Sequence, residues 1–181
     1  MIEGEALVLP PEAAAAAKGY LRVQRDDEDT LIGGLMNAAA ELCESFTGQA
    51  LLARGFTETL PASRAWQRLT RTPVRAIVSV EALPAEGGPQ PLPTGAYAID
   101  IDASGDGWVR LTGPGDARRV RVGYEAGVAA AWADLPAALR HGISRLAAHF
   151  YTNRVPEGAR REAPPAAVSA LWRPYRRMRL R

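Results

Sequence analysis

VRAIVSVEAL, residues 74–83, sets Val74, Ala76, Val78, Val80 and Ala82 in alternation with Arg75, Ile77, Ser79, Glu81 and Leu83. A repeat of two is the signature of a strand, because successive side chains leave an extended backbone on opposite faces. The stretch decides the fold because the repeat is different on either side of it. Upstream, Leu31, Leu35, Leu42 and Phe46, with Ile32, Met36 and Cys43 alongside, recur at helical spacing. Downstream, Leu139, Ile143, Leu146 and Phe150 do the same. A sheet is therefore expected between helices that pack on one another.

Working outward, the period changes near Leu52, and Phe56 to Leu60 and Trp108 to Thr112 are short strand candidates. Tyr97, Ile99 and Ile101 alternate with Ala98, Asp100 and Asp102, and Val120, Val122 and Tyr124 with Arg119, Arg121 and Gly123, so each reads as a strand with one wet face. Residues 84–93, with Gly87 and Gly88 among the prolines, read as a loop. Before the sheet, Pro10, Pro11 and Glu12 open an alanine run to Lys18, which predicts a first helix ending near Gly19 or Leu21. The acidic cluster Asp26, Asp27, Glu28 and Asp29 opens the second helix, where the macrodipole favours negative charge, and Gly48 can close it. After the sheet, Asp134 is an expected N-cap with Pro136 in the first turn of a helix reaching about Asn153. A polar link over 155–165 leads to a short amphipathic piece, Ala166 to Leu171, that Pro174 interrupts.

The fold class expected is α+β: a bundle of three to four helices with an inserted antiparallel β-sheet subdomain and an extended C-terminal arm. Residues 1–52 and 126–170 would form the helical core, 53–125 the β subdomain and 171–181 the arm.

With 181 residues the chain can bury a core without a covalent or metal staple. Cys43 is the only cysteine, so no internal disulfide and no cysteine-based zinc site is possible, and a reducing cytoplasm is the expected compartment. No export signal and no membrane segment is expected from the N-terminus or from any apolar run. The net charge of +2 hides a polarity: from Arg154 onward eight arginines face Glu157 and Glu162, net +6, while the preceding residues are net −4. The arginine bias itself fits a GC-rich coding background and carries no functional weight.

Few constellations suggest chemistry. Asp100, Asp102, Ser104, Gly105 and Asp106 fall at positions 1, 3, 5, 6 and 7 of an EF-hand register, but position 12 is Leu111, where calcium needs a bidentate carboxylate. An Asp/Gly hairpin turn is the alternative reading. His141 and His149 lie eight residues apart on one helix, too far along its axis to share an ion. No phosphate loop and no HExxH occurs, so neither a cofactor nor an enzymatic activity is expected.

The last eleven residues, LWRPYRRMRLR, combine Trp172, Pro174 and Tyr175 with Arg173, Arg176, Arg177, Arg179 and Arg181, and with Leu171, Met178 and Leu180 between them. Three readings fit: a solvated terminus, an arm that neutralises phosphates while an aromatic ring stacks, or an arm that docks in an acidic groove of a protein partner.

An ordered set of segments resembles the head-to-tail connector (adaptor) proteins of long-tailed bacteriophages and of the phage-derived gene transfer agents of alphaproteobacteria. These segments are PPEAAAAAKGYLRV, DDEDTLIGGLMNAAAELCESFTGQ, TPVRAIVSVEAL, GAYAIDI, RRVRVGYEAG, DLPAALRHGISRLAAHFYTNR and VSALWRPYRRMRL; the resemblance runs along nearly the whole chain and is weakest over 53–73 and 84–93. The resemblance implies a non-catalytic particle component: a ring beneath the portal protein, expected to hold twelve copies, that joins capsid to tail and continues the DNA channel without sequence-specific binding. It implies a tail-side connector or stopper protein as second partner, assembly in the bacterial cytoplasm and a final place at the head-tail junction. It also implies that Leu171 to Arg181 reaches into the portal. Charge leaves two readings of Asp26, Asp27 and Asp29 open: an intramolecular helix cap with solvated arginines, or a ring contact with Arg140 or Arg145 of a neighbour. The alternative function is a nucleic-acid-binding packaging or regulatory module using the arginine-rich tail.

Overall fold

The computed structural model describes residues 1–23, 27–86, 88–113, 117–153 and 164–177. Helices and antiparallel sheets make an α+β fold, and the chain divides into two compact units: residues 1–6 with 52–128, and residues 7–51 with 129–181.

The helical unit is built on α2 (Asp29–Thr47) and α3 (Ala137–Thr152), flanked by α1 (Pro11–Leu21) and α4 (Ala166–Trp172). Ile32, Met36, Ala39 and Cys43 of α2 and Leu139, Ile143, Leu146 and Ala147 of α3 are buried together with Ala13 and Ala17 of α1. Alanine suits α1, because its small side chains let that helix lie close on its neighbours. Gly48 closes α2 in the left-handed region, φ 72°, and returns its N–H to the Glu44 carbonyl. The Glu44 carboxylate, itself buried, accepts the Leu51 N–H at 2.7 Å and so fixes the exit from the helix.

Asp134 is not the cap of α3. It ends a short 3-10 turn, Trp132–Asp134, and the helix begins two residues later than such a cap would set it, at Ala137, where the Pro136 carbonyl accepts from Leu139 and Arg140. The reason is local: proline has the extended dihedrals that the position before a helix requires, and α4 starts the same way on Pro165.

Among the described residues the sheet unit holds eight strands in two antiparallel sheets. The larger has the order β1 (Ile2–Gly4), β2 (Arg54–Pro61), β8 (Arg119–Ala126), β4 (Val74–Leu83), β5 (Gln90–Pro91); the smaller is β3 (Gln67–Arg68), β7 (Gly107–Leu111), β6 (Tyr97–Ile101). Three of these strands escape a sequence reading. β1 places the N-terminus on the sheet rather than with the helices, and β3 and β5 are two residues long, too short to show a period.

Strand β4 departs from simple alternation. Its pairing with β8 shifts register between Val74 and Ala76 and again between Ile77 and Ser79. Two bulges restore the phase, so Val74 and Val80 both point into the core at 5% and 4% exposure while Val78, on the second bulge, is left 75% exposed. The opposing faces of β8 and β2 supply Val120, Val122, Tyr124 and Phe56 to that core. Within it Glu58 is buried, and its carboxylate accepts from the Thr70 N–H and hydroxyl and from the Tyr124 hydroxyl. Those bonds offset the cost of burying a charge. Ile99 and Ile101 are less covered than a one-sided strand predicts, because β6 is an edge.

Candidate functional surface

The C-terminal segment begins as part of the core. Helix α4 carries Val168 and Trp172 inward, and the Trp172 side chain is fully buried. Its ring packs beside Phe46, centroids 5.8 Å apart, and lies over Gly142, where a Cβ would fall 2.2 Å from the indole Nε1. A 3-10 turn, Arg173–Tyr175, follows, so Pro174 tightens the helix end instead of releasing the chain. Beyond it the backbone is tied to the end of α2: Gln49 donates to the Tyr175 carbonyl at 2.6 Å and the Arg177 N–H to the Thr47 carbonyl at 2.8 Å.

This corrects the expected arm. Residues 171–177 are folded on their own subunit, and Trp172 is a core side chain that cannot also be a free anchor for a partner. Leu171 and Tyr175 are half-buried, whereas Arg173, Pro174 and Arg176 are exposed. Met178, Arg179, Leu180 and Arg181 lie outside the described residues. What remains is a cationic patch mounted on a rigid base. The Arg176 guanidinium stands 5.6 Å from the Phe46 ring, a cation–π distance. The last turn of α2 carries no basic residue of its own, so Arg176 and Arg177 bring positive charge to the negative end of that helix dipole.

The opposite end of α2 is acidic. Asp29 pairs with Lys18 at 2.6 Å, and Glu28 accepts the Tyr151 hydroxyl at 2.7 Å, so both are engaged within the unit. Asp27 is exposed and makes no ion pair among the described residues; Asp26 lies outside them. Arg140 donates through Nε to the Leu135 carbonyl at 3.0 Å. Arg145 is half-buried on the rim of a groove of about 420 Å³, with no ion pair among the described residues. Of the five charges expected at a subunit contact, Asp27 and Arg145 are the two described ones that local structure leaves available.

The candidate calcium loop is a hairpin turn. The Asp102 carboxylate accepts from the Ser104 and Asp106 N–H groups at 2.8 and 3.0 Å and from the Trp108 indole at 3.0 Å, and Asp106 pairs with Arg68 at 3.2 Å. The aspartates thus stabilise the turn itself. His141 meets the Tyr20 ring edge-on at 6.2 Å, and His149 sits beside Asn153. Among the described residues no group of three or more His, Cys, Asp or Glu is placed to hold a metal ion. No helix among them is long and apolar enough to cross a membrane. Cys43 is buried between helices, and burial, with the charge of Glu44 beside it, pushes its thiol well above the ordinary range, so it is a packing residue and not a nucleophile.

Sequence reasoning missed Phe46, Thr47, Gln49 and Gly142 as the seat of the C-terminal segment. The available signal was the tryptophan, which seven residues of amphipathic helix can carry into a core.

No protein-family model matches the chain, and no curated protein matches it in sequence. Solved structures do. A chain of the neck of an empty gene transfer agent particle, computed with C6 symmetry, superposes with a TM-score of 0.77 at 26% identity, over 99% of this chain and 97% of that one. A chain of the virion of a native gene transfer agent particle gives 0.77 at 28% identity with the same coverage. A chain of the neck of a native particle, computed with C12 symmetry, gives 0.72 at 27%. The likeness spans both units, and the resemblance to the connector family of gene transfer agents read from the sequence is borne out by it. The proteins it matches are structural components of a particle.

Proposed function

We propose that this chain is a head-to-tail connector: a non-catalytic subunit of a ring in the neck of a phage-like particle, joining the capsid's portal protein to the tail and continuing the DNA channel. The observation that carries this reading is the end-to-end likeness to neck chains of gene transfer agent particles. Necks computed with sixfold and twelvefold symmetry support a ring with twelve copies. The chain's own chemistry is consistent with the role. Helix α2 runs from an acidic start, at Asp27, Glu28 and Asp29, to an end beside the cationic Arg176 and Arg177.

On this reading the portal contact is made by the exposed Arg173 and Arg176 and by the residues beyond Arg177, and a tail-side connector or stopper protein meets the ring from below. Assembly takes place in the bacterial cytoplasm. Mounting the arginines on the base formed by Trp172 and α2 lowers the ordering cost of docking compared with a wholly free arm, and repetition around a ring multiplies a weak contact.

The test is co-expression with the portal protein encoded in the same genome, followed by electron microscopy. A twelvefold ring stacked coaxially on the portal is expected for the wild type, and loss of stacking for the double variant Arg173→Glu/Arg176→Glu. A chain that never forms rings with portal present, and instead binds free duplex DNA with an affinity falling steeply as salt rises, belongs to the nucleic-acid-binding class instead.

A further inference from the structure

Among the described residues, the packing of the helical unit leaves two surfaces open, and they are complementary. One is a ridge on α2. Leu31, Leu35 and Leu42 follow one another at helical spacing, about 90° round the helix from the buried row of Ile32, Met36, Ala39 and Cys43 at 100° per residue. Leu31 keeps 47% of its surface exposed, and Leu35 and Leu42 are half-buried. The ridge is edged by acid, with Asp27 one turn before Leu31 and Glu41 beside Leu42, both exposed.

The other surface is the groove of about 420 Å³ bounded by the end of α1, the outer side of α3 and the start of α4. Leu21, Pro165 and Ala167 give it apolar walls over a floor of the buried Ala148 and Val168, and Tyr20, Arg145 and His149 stand on its rim. On α3, Arg145, His149 and Thr152 lie about 140° round the helix from the core row of Leu139, Ile143, Leu146 and Ala147. Tyr151, which reaches Glu28 at the start of α2, is on a different side of α3, so the groove opens away from α2.

We propose that the α2 ridge of one copy seats in the groove of the next, with Leu31 and Leu35 covering Tyr20, Leu21 and Ala167, and Asp27 pairing with Arg145. The occupant is a second copy because sign and shape agree: an apolar row edged by carboxylates faces an apolar groove edged by a guanidinium, and both charges lack an ion-pair partner among the described residues. Two different surfaces on one unit make a heterologous contact, which repeats head to tail and closes into a ring when the rotation permits. The inference deepens the connector reading and rests on it.

The test uses the full chain and four samples: wild type, Asp27→Arg, Arg145→Asp and the double variant, with circular dichroism and thermal melting confirming equal folding. Self-association is read by sedimentation velocity and imaging, on a portal ring if the wild type assembles only there. Each single variant is expected to weaken association roughly tenfold or more, and the double variant to recover it. An equal mixture of the two singles should recover association with the two variants alternating, since the ridge of each then meets a groove of opposite sign on the other, whereas either variant alone meets only like charge. Leu31→Glu should prevent assembly by placing a charge in the apolar groove. Rings from either single variant as from the wild type, or a double variant that stays apart, overturn this interface while leaving the connector reading intact. A wild type that forms no ring even on a portal overturns both.

Discussion

Gly142 is a glycine because the indole of Trp172 occupies the place of its side chain: a Cβ there would lie 2.2 Å from Nε1. The contact can be broken from either side. Trp172→Ala should cost about 3–5 kcal/mol of stability by emptying a fully buried site, and Gly142→Ala about 1–3 kcal/mol by overfilling it, both measured by chemical denaturation. The same residue explains what the sequence could not reveal, since an arginine-rich terminus with a tryptophan reads equally as a free arm or as a core plug, and only its seat beside Phe46 decides. A second consequence concerns alkaline stability. Burial holds the Cys43 thiol and the Tyr124 hydroxyl above their ordinary pKa values. The unfolded chain therefore releases these protons first, from about pH 8.5 for cysteine and about 10 for tyrosine. The native state then binds more protons than the unfolded one, so stability is complete below that range and falls as pH rises, by up to about 1.4 kcal/mol per unit and group. Cys43→Ala should delay the onset of the loss to the tyrosine range, as read from urea melts between neutral and alkaline pH.

Strand β4 carries the clearest lesson about elements. Its alternation is real at Val74 and Val80, and it fails at Val78 because a bulge inserts an unpaired residue without leaving a mark in composition. Bulges are set by the partner strand, here β8, so they are visible only once pairing is known. The consequence is an asymmetry between two valines four per cent and seventy-five per cent exposed. Val80→Ala should destabilise the protein by about 2 kcal/mol through two lost methyl contacts and the cavity they leave. Val78→Lys should be nearly neutral, within about 0.5 kcal/mol, and a large loss at Val78 would mean that the surface is covered in solution. The long helices were legible for the opposite reason. Over nineteen residues of α2 the repeat is sustained, and both its acidic start and its Gly48 stop are local chemistry. Only the division of its apolar face into a buried row and an open ridge depends on neighbours, and that division is where the proposed interface lies.

At the scale of the molecule, residues 52–128 of the sheet unit are an insertion whose flanking residues meet at one place. Leu51 closes the first half of the helical unit and Ala129 opens the second, and the Ala129 N–H donates to the Leu51 carbonyl at 3.0 Å. The helical unit carries buried side chains of its own, among them Ala13, Met36, Ile143 and Trp172. A loop of about four residues can close so short a gap. Replacing residues 52–128 by such a loop, and starting the chain at Leu7 because β1 pairs only within the sheet, should leave a helical protein that melts cooperatively and keeps its far-ultraviolet helix signal. The ridge, the groove and the cationic base at Arg173 and Arg176 all lie on this unit. The excised form should therefore still form rings and still bind the portal, and lose only what the sheet contributes. Rings that require the sheet would move the subunit contact off the helices, and a collapsed, non-cooperative product would show that the two units fold as one.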